Sequence, residues 1–259
     1  METDSSPDDP YRTAAEFYDL FHGETYRRRA VGHLAASAAG SALGILEVGA
    51  GTGIVTEVLA RSSTVPVHAV EPSRAMRTVL MARLSALEWL RGKVRVYPVA
   101  VQRARLDAPV DLATCVNVVA TVAPEERPGL WSALAARLVP GGMLIVDAPG
   151  RLAPLPGHRD WRLPAVRVGD DDYTAAVRVR PAGADGRLRW TYQYAVRHGE
   201  RTVREESASF YAWPLDPSRT AAELARAGFA RAPGTAPVAA YAGGLAPFEH
   251  LAYYLRRRD

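Results

Sequence analysis

Nine residues, Ile45 to Gly53, constrain the fold of this chain more than any other segment. Four largely apolar residues lead into glycines at positions 49, 51 and 53, and the helix-like run 54–60 follows. Such a pattern is typical of a buried strand that turns into a helix. Glycine adopts backbone angles that other residues avoid, and the helix start offers free N–H groups to a ligand. The segment therefore predicts a ligand site at the end of the strand.

A second apolar run, 67–70, ends in Glu71. In open α/β sheets, a carboxylate at the tip of the second strand accepts hydrogen bonds from ribose hydroxyls. The two features together predict a cofactor of the adenosine type.

The spacing of the glycines indicates which adenosine cofactor is bound. The dinucleotide fingerprint needs glycine or alanine at its sixth position, which is Ile54 when counted from Gly49, so a dehydrogenase is disfavoured. The pattern Glu-x-Gly-x-Gly-x-Gly from Glu47 to Gly53 resembles motif I of the class I S-adenosylmethionine-dependent methyltransferases. The resemblance implies S-adenosylmethionine as cofactor. The predicted cofactor-binding residues are Glu47, Gly49, Ala50, Gly51, Thr52, Gly53, Glu71, Pro72, Met76, Ala100, Val101, Cys115 and Asn117.

The order of segments predicts an α/β fold with a Rossmann-like, seven-stranded, mostly parallel sheet. Residues 1–40 are expected to form a disordered tail (1–10) and a lid of two helices, the second over 26–38. Residues 41–148 and 214–259 are expected to form the cofactor-binding core, with a helix over 73–90, a turn at 140–142 and a late strand near 230–240 among its elements. Residues 149–213 interrupt the core after its fifth strand, and strand patterns over 174–180, 187–197 and 201–213 predict an antiparallel flap. Its aromatic residues are expected either to wall the acceptor site or to pack a homodimer.

Composition excludes some partners. The net charge of +4 comes almost wholly from arginine, and no clustered basic face interleaved with aromatics is evident, so nucleic acid is not an expected partner. The single cysteine excludes an internal disulfide and fits a reducing compartment. No apolar run approaches a membrane span. The histidines lack ligand spacing, so no metal is expected, and a cytoplasmic location follows.

A closer resemblance is to the amino-sugar N,N-dimethyltransferases of macrolide biosynthesis. It is carried by motif I, the run 15–22, Thr114-Cys115, and the runs 204–207 and 222–229. Two positions depart from that family. Ala100 stands where many members place an acid for the adenine amino group, and the segment 117–122 after the fourth strand lacks the family's histidine. The acceptor pocket is therefore expected to differ from theirs.

Methyl transfer to a neutral amine needs alignment rather than a general base. The sequence therefore favours N-methylation of a small-molecule or peptide amine in a natural-product pathway. Tyr18, Tyr11 and His22 on the lid are the candidate catalytic residues. The alternatives are an O-methyltransferase and a non-catalytic cofactor-binding protein. A nucleic-acid amino methyltransferase is disfavoured because residues 115–119 lack the Asn-Pro-Pro-aromatic motif.

Overall fold

The computed structural model describes residues 9–147, 159–233 and 250–256. The helices are α1 (Ala14–Ala39), α2 (Ile54–Ser62), α3 (Arg74–Ala86), α4 (Glu88–Arg91), α5 (Arg127–Ala135) and α6 (Pro217–Arg226). The strands are β1 (Ile45–Val48), β2 (Val67–Val70), β3 (Val94–Tyr97), β4 (Val110–Cys115), β5 (Leu138–Asp147), β6 (Arg159–Arg162), β7 (Val166–Val168), β8 (Asp171–Pro181), β9 (Leu188–His198), β10 (Arg201–Ala212), β11 (Phe229–Arg231) and β12 (His250–Leu255). No described helix combines the length and the apolar character needed to cross a membrane.

The larger sheet has seven strands in the order β11-β12-β5-β4-β1-β2-β3. Strands β1 to β5 are parallel, whereas β12 runs antiparallel to β5 and β11 antiparallel to β12. All residues of β1 and β2 are buried, as expected for central parallel strands covered on both faces. This confirms the predicted fold class.

The strand order reverses at β1, which lies between β2 and β4. The chain leaves β1 toward β2 on one side, and β4 pairs with β1 on the other. In doubly wound sheets, such a switch point opens a crevice at the carboxyl ends of the strands. The glycine turn and Glu71 both lie at this edge.

The insertion forms a separate antiparallel sheet with more strands than the sequence predicts. The order is β10-β9-β8-β6, and β7 also pairs with β8. The three predicted strands correspond to β8, β9 and β10, and the prediction missed β6 and β7. These two are four and three residues long, too short for an alternating pattern to stand out beside the neighbouring prolines.

The lid is one helix of 26 residues, so the prediction of two helices is wrong. Its first half packs Ala14 and Phe17 against the smaller sheet. Its second half packs Ala30 and Leu34 into the core of the larger sheet. Burial of both halves outweighs the helix-weakening effect of Gly23, which costs about 1 kcal/mol relative to alanine.

Three other boundaries differ from the sequence prediction. The helix expected over 73–90 divides at Leu87 into α3 and α4. The expected turn at 140–142 lies within β5, opposite a register shift in β4. Asp9 and Pro10, predicted to be disordered, are ordered in the structure. Residues 1–8 of the expected tail, and most of the late strand expected near 230–240, lie outside the described residues.

Candidate functional site

The turn after β1 requires glycine at specific positions. Gly49, Gly51 and Gly53 have φ values of +73°, +56° and +84°. A Cβ on Gly49 would lie 2.2 Å from Cγ2 of Val118, and one on Gly53 would lie 2.4 Å from Cδ1 of Leu80. Side chains are thus excluded both by the left-handed backbone and by the packing. The Gly49 and Ala50 amides donate to the Val70 carbonyl, which fixes the turn to the end of β2.

Glu71 joins the end of β2 to this turn. Its Oε2 accepts from the Gly51 N–H at 2.8 Å, and its Oε1 accepts from the Ser73 N–H at 2.8 Å. Burial raises the pKa of Glu71, and these two hydrogen bonds oppose the rise. Each carboxylate oxygen retains a further lone pair, so both can still accept from a ligand.

Glu47 lies beneath the turn rather than in the crevice. Glu47 is 3% exposed, and its carboxyl group contacts the Thr56 hydroxyl at 2.6 Å. Burial raises the pKa of Glu47 to about 8, so the group is largely protonated at neutral pH. It therefore orients α2 against β1, and a direct ligand contact is not part of this arrangement.

A cavity of about 500 Å³ opens at the switch point. Ten of the predicted cofactor-binding residues line it, whereas Glu47, Gly53 and Cys115 do not. Cys115 is fully buried, and Gly53 begins α2 against Leu80. The ten are Gly49, Ala50, Gly51, Thr52, Glu71, Pro72, Met76, Ala100, Val101 and Asn117.

Sequence reasoning missed part of the cavity wall. Val118, Val122 and Leu130 line it from the segment after β4 and from α5. The signal for this loop is Asn117, whose φ is +59°. Asparagine tolerates the left-handed region better than most residues, and an asparagine two residues after a buried strand is consistent with the sharp bend there.

The lid places Tyr11, Tyr18 and Tyr26 over the cavity. Burial, with smaller contributions from the charge of Glu71 and from Tyr26, raises the pKa of Tyr11 to about 12. Burial and the neighbouring tyrosines raise the pKa of Tyr18 well above its usual value. The Tyr11 ring also packs on Phe210 of β10, with centroids 4.8 Å apart. The phenols of Tyr11 and Tyr18 in this roof therefore keep their protons at neutral pH.

His22 lies behind this roof and does not line the cavity. Its ring packs against Tyr18, Tyr26 and Tyr192 at centroid distances of 5.4, 5.5 and 6.1 Å. Burial, with a smaller contribution from the charge of Arg29, lowers the pKa of His22 to about 4. The imidazole is neutral at physiological pH and a weak base.

This shift predicts an acid-dependent loss of stability. The unfolded chain protonates His22 below about pH 6.5, whereas the folded chain resists protonation down to about pH 4. Stability from this group is therefore complete above pH 6.5 and is lost as the pH falls through that window. We expect the His22→Phe variant to lose about 2 kcal/mol less than the wild type between pH 7.5 and 5.0, as measured by urea unfolding.

His198→Gln, at an exposed histidine of the flap, is the control for general acid effects. An equal pH dependence in wild type and His22→Phe would show that His22 titrates normally.

Within residues 9–147, 159–233 and 250–256, no group of three or more histidine, cysteine or acidic side chains is arranged to hold a metal ion.

Comparisons with known proteins agree with this geometry. Residues 45–142 match the family described as a methyltransferase domain. No curated protein matches the chain in sequence.

Solved structures extend the likeness to the whole fold. The amino pentose methyltransferase CalS10 from Micromonospora echinaspora, solved with S-adenosylmethionine, is 20% identical with a TM-score of 0.72, over 93% of this chain and 96% of that one. DesVI from Streptomyces venezuelae is 18% identical with a TM-score of 0.71, over 98% and 100%. The glycopeptide N-methyltransferase MtfA is 18% identical with a TM-score of 0.55, over 88% and 92%.

Proposed function

We propose that this chain, whose residues 45–142 match a methyltransferase domain and whose fold is that of S-adenosylmethionine-dependent methyltransferases, methylates an amine nitrogen. The observation that supports an amine is that no histidine is among the described residues that line the cavity. Of its two carboxylates, Glu71 is held by the Gly51 and Ser73 N–H groups, and Glu126 is exposed at the start of α5. The similar structures include sugar and glycopeptide N-methyltransferases of antibiotic pathways. We therefore propose a small-molecule or peptide amine of a natural-product pathway as the acceptor class.

The residues that line the cavity are chemically suited to bind S-adenosylmethionine. Left-handed glycines bring bare main chain to its floor, and Glu71 at the end of β2 retains lone pairs for ribose hydroxyls. Met76 and Val101 supply an apolar wall for a purine ring. No acid stands at position 100, so main-chain groups and the neighbouring Gln102 are proposed to meet the adenine amino group. When bound, S-adenosylmethionine supplies an electrophilic methyl group on a sulfonium.

The roles of the lid residues follow from their protonation. The phenols of Tyr11 and Tyr18 keep their protons at neutral pH because burial raises their pKa values. They are proposed to orient the methyl group through weak C–H···O contacts. His22 is proposed to support the two tyrosines by packing, since it lies off the cavity and its pKa is about 4. It is not proposed to contact the acceptor.

An amine is the acceptor that such a site can use. The neutral nitrogen forms its bond to carbon with its own lone pair as the carbon–sulfur bond breaks, and the resulting ammonium then releases a proton to solvent. The protein has to hold the partners in line about 3–3.5 Å apart and exclude water. A hydroxyl acceptor would need a base to take its proton in the transition state.

The test is methylation of a panel of amino sugars and amine-bearing peptides with isotope-labelled S-adenosylmethionine, and the methylated atom is located by NMR. We expect N-methyl products. For two amines of different pKa, the acidic limb of the pH–rate profile, along which the amine loses its proton, is expected to shift with the amine. Exclusive O- or C-methylation, or a limb that stays fixed at one pH for both amines, would contradict the proposal.

The Tyr18→Phe variant distinguishes two roles of Tyr18, orientation of the methyl group and general base catalysis. Loss of a C–H···O contact of about 0.5–1 kcal/mol is expected to lower kcat by roughly 2- to 5-fold. Removal of a general base would instead lower it by roughly 10² to 10⁴. Tyr211→Phe, at an exposed tyrosine of β10, is the control. A loss above 100-fold in Tyr18→Phe alone would assign Tyr18 as the base.

The remaining proposals concern domain boundaries, oligomeric state, location and partners. We propose residues 41–148 and 214–259 as the cofactor-binding core, 1–40 as the lid, and 149–213 as the acceptor wall or a homodimer contact. We also propose that the protein works in the cytoplasm without nucleic acid as a partner. Gel filtration with light scattering tests the dimer.

A further inference from the structure

Asp9, just before the lid helix, makes contacts that the chemistry described above does not require. Its Oδ2 accepts from the Ser73 hydroxyl at 2.8 Å and from the Ala75 N–H at 3.0 Å. Its Oδ1 accepts from the Tyr11 N–H at 3.0 Å and lies 3.0 Å from the Ser73 hydroxyl. One carboxylate thus joins the first residues of the lid to the start of α3, 64 residues further along the chain.

Ser73, at the start of α3, also contacts Glu71, the acid proposed to bind the ribose. The Ser73 N–H donates to Glu71, and the Ser73 hydroxyl accepts from the Met76 N–H. A continuous series of hydrogen bonds therefore runs from Asp9 through Ser73 to Glu71, and from Glu71 to the Gly51 N–H. A change at Asp9 acts next to the cofactor cavity even though Asp9 does not line it.

The segment 9–11, which begins with Asp9, also forms part of the cavity wall. Tyr11 lines the cavity, and its ring packs on Phe210 of the smaller sheet. The segment 9–11 thus spans the cavity from α3 to β10. It is fixed at one end by the Asp9 carboxylate and at the other by the packing of the Tyr11 ring against Phe210.

We infer that Asp9 is a positioning residue that latches the N-terminal turn across the cofactor cavity and slows cofactor release. The inference rests on the proposed function, because it requires the cofactor to occupy this cavity. Departure of the bound molecule past Tyr11 then requires the Asp9 contacts to Ser73 and Ala75 to break. Hydrogen bonds to a charged group are among the stronger ones in proteins.

The rest of the lid has separate anchors. Asp19 of α1 pairs with Arg83 of α3 at 2.5 Å, and Arg83 also donates to the Thr52 carbonyl. Phe17 is 1% exposed and packs on the smaller sheet. Loss of the Asp9 contacts is therefore expected to free the turn before α1 and to leave the helix folded.

The experiment measures the dissociation rate of S-adenosylhomocysteine from the full chain, by displacement with excess S-adenosylmethionine. We expect dissociation to be roughly tenfold faster in Asp9→Ala, equivalent to about 1.4 kcal/mol, and less accelerated in Asp9→Asn, which keeps the shape and one acceptor oxygen. Hydrogen exchange of the amides of residues 11–13 in the ligand-free chain is expected to rise. Asp107→Asn, at an exposed aspartate paired with Arg95, is the matched control.

A double-mutant cycle with Ser73→Ala separates the latch from the capping of α3. The effects of Asp9→Ala and Ser73→Ala on the dissociation rate are expected to be less than additive, because each variant removes the same hydrogen bond between Asp9 and Ser73. Wild-type dissociation in Asp9→Ala, or full additivity, would overturn the latch while leaving the methyltransferase function in place. A wild-type chain that binds no S-adenosylhomocysteine would overturn both.

Discussion

Replacement of Glu71 by alanine is expected to weaken binding of S-adenosylmethionine by at least about 100-fold. Two contributions add. The ribose hydroxyls lose a carboxylate acceptor, and such charge-assisted hydrogen bonds contribute about 1.5–3 kcal/mol each. The Gly51 and Ser73 N–H groups also lose the oxygen atoms to which they donate at 2.8 Å. The turn that forms the floor of the cavity is then less well fixed. Isothermal titration calorimetry measures the change.

Glu71→Gln and pH provide the controls. The glutamine keeps the shape but replaces one acceptor oxygen by a donor, so an intermediate loss is expected. Because burial raises the pKa of Glu71, affinity in the wild type is expected to fall with acid at a higher pH than an ordinary glutamate would give, and this dependence should vanish in Glu71→Gln. Glu88→Ala, at an exposed residue of α4, should bind as wild type. Unchanged affinity in Glu71→Ala would remove Glu71 from the ribose site.

The sequence predicted this part of the site because its determinants are local. Three glycines at alternate positions specify a left-handed turn over a few residues, and the structure places positive φ at all three. Glu71 follows a four-residue apolar strand directly, so its place at the strand end needs no knowledge of distant contacts.

The sequence predicts that Cys115 and Glu47 bind the cofactor, and neither of them lines the cavity. A strand in the centre of a parallel sheet is buried on both faces, so the sequence does not show which side chains reach the crevice. Cys115 turns into the core, and Glu47 meets Thr56 beneath the turn.

The other wrong predictions concern elements whose structure depends on contacts between residues far apart in the sequence. The short strand β6 is ordered by Trp161 and its neighbours pairing with β8, and this pairing leaves no periodic pattern within β6 itself. Asp9 lies in an acidic, Pro-containing segment whose composition is typical of disorder. Its partner Ser73 is 64 residues away. The single helix α1 depends similarly on two separate surfaces that bury its halves.

Gly49→Ala is expected to destabilise the fold by about 3 kcal/mol and to impair cofactor binding. A non-glycine residue in the left-handed region costs about 1–2 kcal/mol. The added Cβ would also lie 2.2 Å from Cγ2 of Val118, and overpacking of this kind typically costs about 1–3 kcal/mol. Val118 lines the cavity, so its displacement changes the site as well as the fold. Urea unfolding and calorimetry measure the two effects.

Gly141→Ala isolates the backbone contribution, because Gly141 has a φ of +84° and nothing within 4 Å of an added Cβ. Its expected loss is only about 1–2 kcal/mol, and cofactor affinity should be unchanged. Val118→Ala removes the clashing methyl groups, so in the Gly49→Ala background it should recover stability, whereas alone it should reduce it. Equal losses of stability for Gly49→Ala and Gly141→Ala, with no recovery when Val118→Ala is added to Gly49→Ala, would show that the turn accommodates the added methyl group without a clash. The glycine would then be required for its backbone angles alone, and Val118 would not depend on a bare main chain at position 49.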